Sequence, residues 1–128
     1  MAEKLVLVPG PDHPISVAPA DATVTVRWAD RVIAKTDDAL LLREAGHRDV
    51  YYLPLDAVDP DVLTTSPHRT YCPYKGDASY YSLTGSTSPG SDRVAENAVW
   101  TYLTPYDAVS EIAGRVAFYP QHVDISVG

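Results

Sequence analysis

Eleven prolines and seven glycines cut this 128-residue chain into short runs rich in β-branched and aromatic residues. Proline ends or kinks a helix, and glycine weakens one. Punctuation this dense leaves little room for long helices and predicts many short strands. The run "ATVTVRW" alternates cleanly, with Val24, Val26 and Trp28 on one face and Thr23, Thr25 and Arg27 on the other. "RVIAKT" and "ALLLREA" follow at meander spacing. "DVYYLPL", "ASYYSL", "NAVWTYL", "RVAFYP" and "VDISV" read as further strands. Two short helices are expected. Asp59 caps one, with Pro60 at its first position. Thr104 caps the other, which starts at Pro105 and stops at Gly114, with Tyr106, Val109 and Ile112 or Ala113 on its buried face. The stretch "SLTGSTSPGSDRVAEN" predicts a long exposed connection centred on residues 85–92. The fold class is therefore mainly β: a single small antiparallel domain over residues 1–128, with one or two short helices and residues 1–12 as an N-terminal extension.

Charge and composition narrow the function. The formal net charge is −7, and the ten Lys and Arg are scattered singly. Nucleic acid and anionic membranes both select a basic patch, so neither is an expected partner. No apolar stretch reaches membrane-span length, and the start "MAEKLVLVPGPDHP" lacks the apolar core of a secretory signal. The single cysteine allows neither an intrachain disulfide nor a Cys-rich zinc knuckle. A cytoplasmic location and no cofactor are the resulting expectations.

The segment "TYCPYKGDASYYSL" concentrates the side chains that carry chemistry. Cys72 precedes Pro73 and is expected to be extended. Lys75, three residues on, favours the thiolate of Cys72, which makes the cysteine a nucleophile candidate with His68 as a base. A buried, inert thiol is the plainer alternative. Lys75-Gly76 is no phosphate loop, because the glycines and helix that such a loop needs are missing. On the strand that follows, Asp77, Ser79 and Tyr81 share one face and Ala78, Tyr80 and Ser82 the other. The first row offers a carboxylate, a hydroxyl and a phenol to a pocket wall.

"ENAVWTYL" adds a second wall, with Glu96, Ala98, Trp100 and Tyr102 on one face. Arg69 and Lys75 would supply positive charge, and Tyr74 an aromatic surface. Asp56, Asp59 and Asp61 lie close together, but helix capping explains them better than a two-metal site. The four histidines, His13, His47, His68 and His122, show no paired metal spacing, so no metal site is expected.

The blocks "RVIAKTDDALLLREAG", "HRTYCPYKGDASYYSL" and "ENAVWTYLTPYDAVSEIAGRVAFYP" resemble domain of unknown function 427, over about residues 13–127. The resemblance implies a small β domain of Mss4-like or β-tent topology. It also carries the label nucleotidyltransferase-like, which no Gly-Ser and paired-Asp motif here supports. Many members carry histidine directly before the cysteine, where this chain has Tyr71. Three functional readings follow. The first is a pocket for a small polar or anionic molecule, with Arg69, Tyr74, Asp77, Ser79, Tyr81, Glu96 and Trp100 as binding residues. The second is a transferase or hydrolase using Cys72 or Lys75. The third is a homodimeric interaction module.

Overall fold

The computed structural model describes residues 4–88 and 91–128, and it is mainly β with every strand pair antiparallel. The strands are β1 (Ile15–Pro19), β2 (Val24–Trp28), β3 (Arg31–Thr36), β4 (Leu40–Glu44), β5 (Val50–Tyr52), β6 (Leu63–Cys72), β7 (Gly76–Ser88), β8 (Ser91–Thr101), β9 (Val116–Phe118) and β10 (Asp124–Val127). They form three sheets, ordered β1-β4-β5, β10-β2-β3 and β6-β7-β8-β9.

The four-stranded sheet is the middle of the molecule. Cross-strand pairing aligns Tyr80 with Trp100 and Trp100 with Ala117 on one face, and Tyr81 with Val99 and Val99 with Phe118 on the other. Val99, Phe118 and Leu83 pack into a core with Val24, Val26, Trp28 and Ile33 of β2 and β3. Tyr80, Trp100 and Ala117 pack into a second core with Leu42, Tyr52, Val109 and Ile112. The run "NAVWT" is therefore buried on both faces, as a continuous apolar run implies. The alternation of β2 is as its sequence reads: Val24, Val26 and Trp28 are buried.

Two strands escape the sequence reading. β1 is a short edge strand bounded by Pro14 and Pro19, paired only with β4. β6 contains Pro67, which argues against a strand interior. The chain accommodates it in an irregularity: Ser66 pairs with Tyr80 and Arg69 with Ser79, so Pro67 and His68 are extra residues bulged out of the ladder. The expected connection over residues 85–92 is corrected as well. β7 and β8 stay paired out to Ser88 and Ser91, so nearly all of that stretch is hairpin strand; Pro89 and Gly90 lie outside the described residues.

The expected helices are short 3₁₀ segments, and a further one covers Leu55–Ala57. Asp59 caps Pro60–Val62 as expected, its side chain accepting from the Asp61 amide. The other expected helix is a pair of 3₁₀ turns over Asp107–Ile112, kinked at Val109, with Tyr106 rather than Thr104 at its cap and no side-chain capping bond. Val109 and Ile112 are fully buried, Tyr106 is half-buried and Ala113 is exposed. Gly114 leaves the turn at φ +72, a left-handed conformation that glycine adopts without strain.

Asp59 also receives a hydrogen bond from Arg31 of β3. The Asp61 amide, together with Arg31, outweighs burial and holds this carboxyl below its ordinary value. A depressed folded pKa contributes stability above the unfolded value of about 3.9 and loses it as pH falls through the folded pKa. Asp59→Ala is expected to cost about 1 kcal/mol at pH 7. In urea denaturation from pH 7 down to 2.5, that difference between the two proteins should close below about pH 4.

Candidate functional site

Backbone register brings distant residues together at one end of the second core. The Ile15–Glu44 pair of β1 and β4 continues as a hydrogen bond from the Ala45 amide to the Pro14 carbonyl. This carries His13 across to the turn after β4, where Gly46 at φ +77 reverses the chain and presents His47. On the facing side, the β6–β7 hairpin closes at Cys72 and Gly76 through residues 73–75. Gly76 turns at φ +111, a left-handed conformation that favours glycine, and packs in ordinary contact with the Thr104 backbone: a Cβ there would lie 3.6 Å from its carbonyl oxygen. The Lys75 carbonyl accepts from the Tyr106 amide, which fixes the loop and turns the lysine side chain inward.

Lys75 is 8% exposed, unusual for a lysine, and its Nζ lies 2.6 Å from Glu44 Oε1. The Glu44 side chain is itself only 6% exposed. Its other oxygen, Oε2, lies 2.8 Å from His13 Nε2 and 3.7 Å from His47 Nε2. Burial pushes the Glu44 carboxyl up, but the hydrogen bonds of Lys75 and His13 and the charges around it prevail and hold it below its ordinary value. The His13 ring is stacked on Tyr74, with centroids 4.1 Å apart.

Beside this cluster opens a cleft of about 580 Å³. Tyr52, Tyr80, Trp100, Tyr102 and Tyr119 wall it, and Glu44, His47, Arg48 and Lys75 add polar groups. The aromatic walls are tied together. Trp100 Nε1 donates to Tyr52 Oη at 3.2 Å, and Tyr80 Oη lies 2.9 Å from Thr70 Oγ1 and 3.2 Å from Tyr119 Oη. Trp100 and Tyr119 rings meet at 4.5 Å. Burial raises the phenols of Tyr52 and Tyr102 well above the ordinary value, and burial with the Tyr80 hydrogen bond takes Tyr119 up to about 12. All three are neutral hydrogen-bonding groups at physiological pH.

Of the site residues expected from sequence, Lys75 and Trp100 line this cleft, and Cys72 adjoins it with Sγ 3.6 Å from Lys75 Nζ. Cys72 is half-buried against the second core. Tyr74 sits behind His13 rather than in the wall. Arg69 is exposed and folds back onto the carbonyls of Ser66 and His68. Asp77 is exposed and paired with Lys4.

Ser79 is half-buried in the ladder opposite Thr101, and Tyr81 lies on the other face, at a separate groove. The cleft wall is thus the Ala78–Tyr80 face of β7, not the Asp77–Ser79–Tyr81 face. Glu96 is exposed beyond the covered part of the sheet, in a shallow depression with His68. The separate groove is larger, at about 850 Å³, but its cation Arg115 is already held by Asp38. Perturbed titratable groups converge at the aromatic cleft, which makes it the stronger candidate.

Removing one member of a buried ion pair strands the other charge. Lys75→Met is expected to destabilise the protein by about 3 kcal/mol, the low end for such pairs because His13 still bonds Glu44. Adding Glu44→Gln should restore most of that loss. Urea denaturation of the single and double variants measures both effects.

No curated protein matches the chain. The family described as domain of unknown function (DUF427) matches residues 16–128, which span β1 to β10 except the first residue of β1. On that match the chain belongs to the DUF427 family.

Proposed function

We propose that this domain binds a small molecule that has a flat ring and an anionic group, in the cleft between β4–β5 and the β6–β7–β8 face. One observation carries the reading: a five-ring aromatic wall stands directly beside an inward-facing, buried Lys75–Glu44 pair. Aromatic walls with a few fixed polar groups are the usual composition of a ligand cleft, and about 580 Å³ suits a ligand of that size. Trp100 and Tyr119 offer ring faces for stacking. Lys75 is compensated by Glu44, so Arg48, exposed on the lip of the cleft, is the cation that an anionic group would recruit. The neutral phenols can donate to or accept from polar atoms of the ring.

The catalytic alternative rests on Cys72 beside Lys75. A reactive thiolate there predicts alkylation of native Cys72 faster than that of a free thiol. The nucleotidyltransferase-like label finds no second carboxylate set: among the described residues, Asp56, Asp59 and Asp61 do not form a converging ligand group, and Asp59 is committed to its cap and Arg31.

A thermal-shift screen of aromatic carboxylates and nucleoside monophosphates, followed by calorimetry, tests the binding reading. At least one such compound should stabilise the protein. Ligand present at 100 times its Kd adds about 2.7 kcal/mol. Arg48→Ala should alter the ligand-free stability by less than about 0.5 kcal/mol, as an exposed site does, while weakening the anion about tenfold. Tyr119→Ala should weaken the ring. If no compound stabilises the protein, or if both variants bind as the parent does, the proposal fails.

A further inference from the structure

We infer that His13, Glu44 and His47 form a binding site for a divalent transition-metal ion of the zinc type, at the edge of the aromatic cleft. Among the described residues these three alone bring one ligand atom each within 4.8 Å of one another. Both imidazoles present the same atom, Nε2, to the same carboxylate oxygen, at 2.8 and 3.7 Å. Ligands about 2.0–2.2 Å from a tetrahedral zinc ion stand roughly 3.4 Å from each other, which those two separations bracket. Two imidazoles and one carboxylate form the borderline donor set that zinc, cobalt and nickel prefer, and that calcium and magnesium do not.

A proton between His13 Nε2 and Glu44 Oε2 accounts for the short contact, and the exposed His47 nitrogen stands 3.7 Å from the same oxygen, beyond hydrogen-bond distance but within reach of an ion pair. A proton bridges one pair of atoms; a cation bridges all three.

The surroundings hold the carboxylate and one ring in advance. Lys75 occupies Glu44 Oε1 and leaves Oε2 turned to the histidines, the outer-shell arrangement that orients ligating carboxylates. Tyr74 stacks under His13, and the Gly10–His13 bridge fixes its backbone. His47 supplies the adjustment: its side chain is 62% exposed on the Gly46 turn and can rotate toward the ion. Three protein ligands leave coordination open to water or to an anionic group. Glu44 and His47 also line the cleft, so a ligand held there lies beside those open positions.

Calorimetry of the chelator-treated full chain with zinc chloride at pH 7.5 tests this. One equivalent should bind with a micromolar or tighter Kd, and Co²⁺ should give visible ligand-field bands. His47→Ala, on an exposed turn, should keep the apo unfolding midpoint yet lose more than about 100-fold in zinc affinity, beyond the range of an outer-shell change, together with the cobalt bands. His13→Ala should lose zinc affinity and the cobalt bands to the same extent, with a lower apo unfolding midpoint because the Glu44 bond and the Tyr74 stacking go with it. Arg48→Ala, which weakens the anionic ring ligand, should keep full zinc affinity, so the metal site and the ligand reading fail separately. The inference is overturned by the absence of saturable binding, by binding retained in both histidine variants, or by binding that depends on Cys72→Ser or His68→Ala instead.

Discussion

Double coverage of the β7–β8 hairpin governs the layout of this molecule. From Ser79 to Tyr81 and from Val99 to Thr101 the hairpin is packed on both faces, by β2 and β3 on one side and by β4, β5 and the Asp107–Ile112 turn on the other. A strand buried on both sides cannot carry free polar groups. Thr101 complies by donating its hydroxyl to the Arg115 carbonyl, and Trp100 by donating to Tyr52. Farther out, toward Ser88 and Ser91, the same hairpin keeps its pairing but exposes Asp92, Arg93, Val94 and Glu96. The cleft lies at the margin of the second core, where packed aromatic rings bond one another and Thr70 through their hydroxyls.

The Lys75–Glu44 pair belongs to that margin. Two buried charges lose hydration, and their attraction repays it only with good geometry and full hydrogen bonding. Here Nζ and Oε1 are 2.6 Å apart, Nζ also reaches Cys72 Sγ, and Oε2 has His13. An apolar pair of similar size would close the two elements at least as well. What the charged pair adds is orientation. It pins one carboxylate oxygen and aims the other at the histidines, and it joins β4 to the β6–β7 hairpin, neither of which pairs with the other.

Much of this fold is legible in the residues. The alternation of "ATVTVRW" and the apolar run "AVWT" have the strand period or the double burial that their patterns imply. β6 is hidden because Pro67 breaks its pattern, and only a bulge opposite Tyr80 and Ser79 reconciles the two. The site is less legible than the fold. In "ASYYS" alternation defines two faces but not which one meets the cleft; that depends on β4 and β5, which lie more than twenty residues away in sequence. Glu44 and His47 surround a glycine turn that marks only a reversal, and His13 joins them solely through the β1–β4 register. The signals in sequence were Trp100 in an apolar strand and Lys75 beside Cys72 and Gly76, a lysine being a residue type that requires a partner wherever the chain turns it inward.

A chain of net charge −7 is not an obvious host for an anion. Range resolves the difficulty. At physiological ionic strength the Debye length is about 8 Å, so carboxylates on distant surfaces contribute little at the cleft. Locally the balance is different: Arg48 and Lys75 stand against Glu44 alone, and Glu44 is already engaged. Low-dielectric aromatic walls strengthen interactions inside the cleft relative to those in open water. Recognition of an anion would then depend on short-range contacts rather than on long-range steering, with association slow for a charged ligand and selectivity set by the fit of its ring. A bound divalent ion would raise that local positive charge further, so the metal trio and the cleft reinforce each other while remaining separable by mutation.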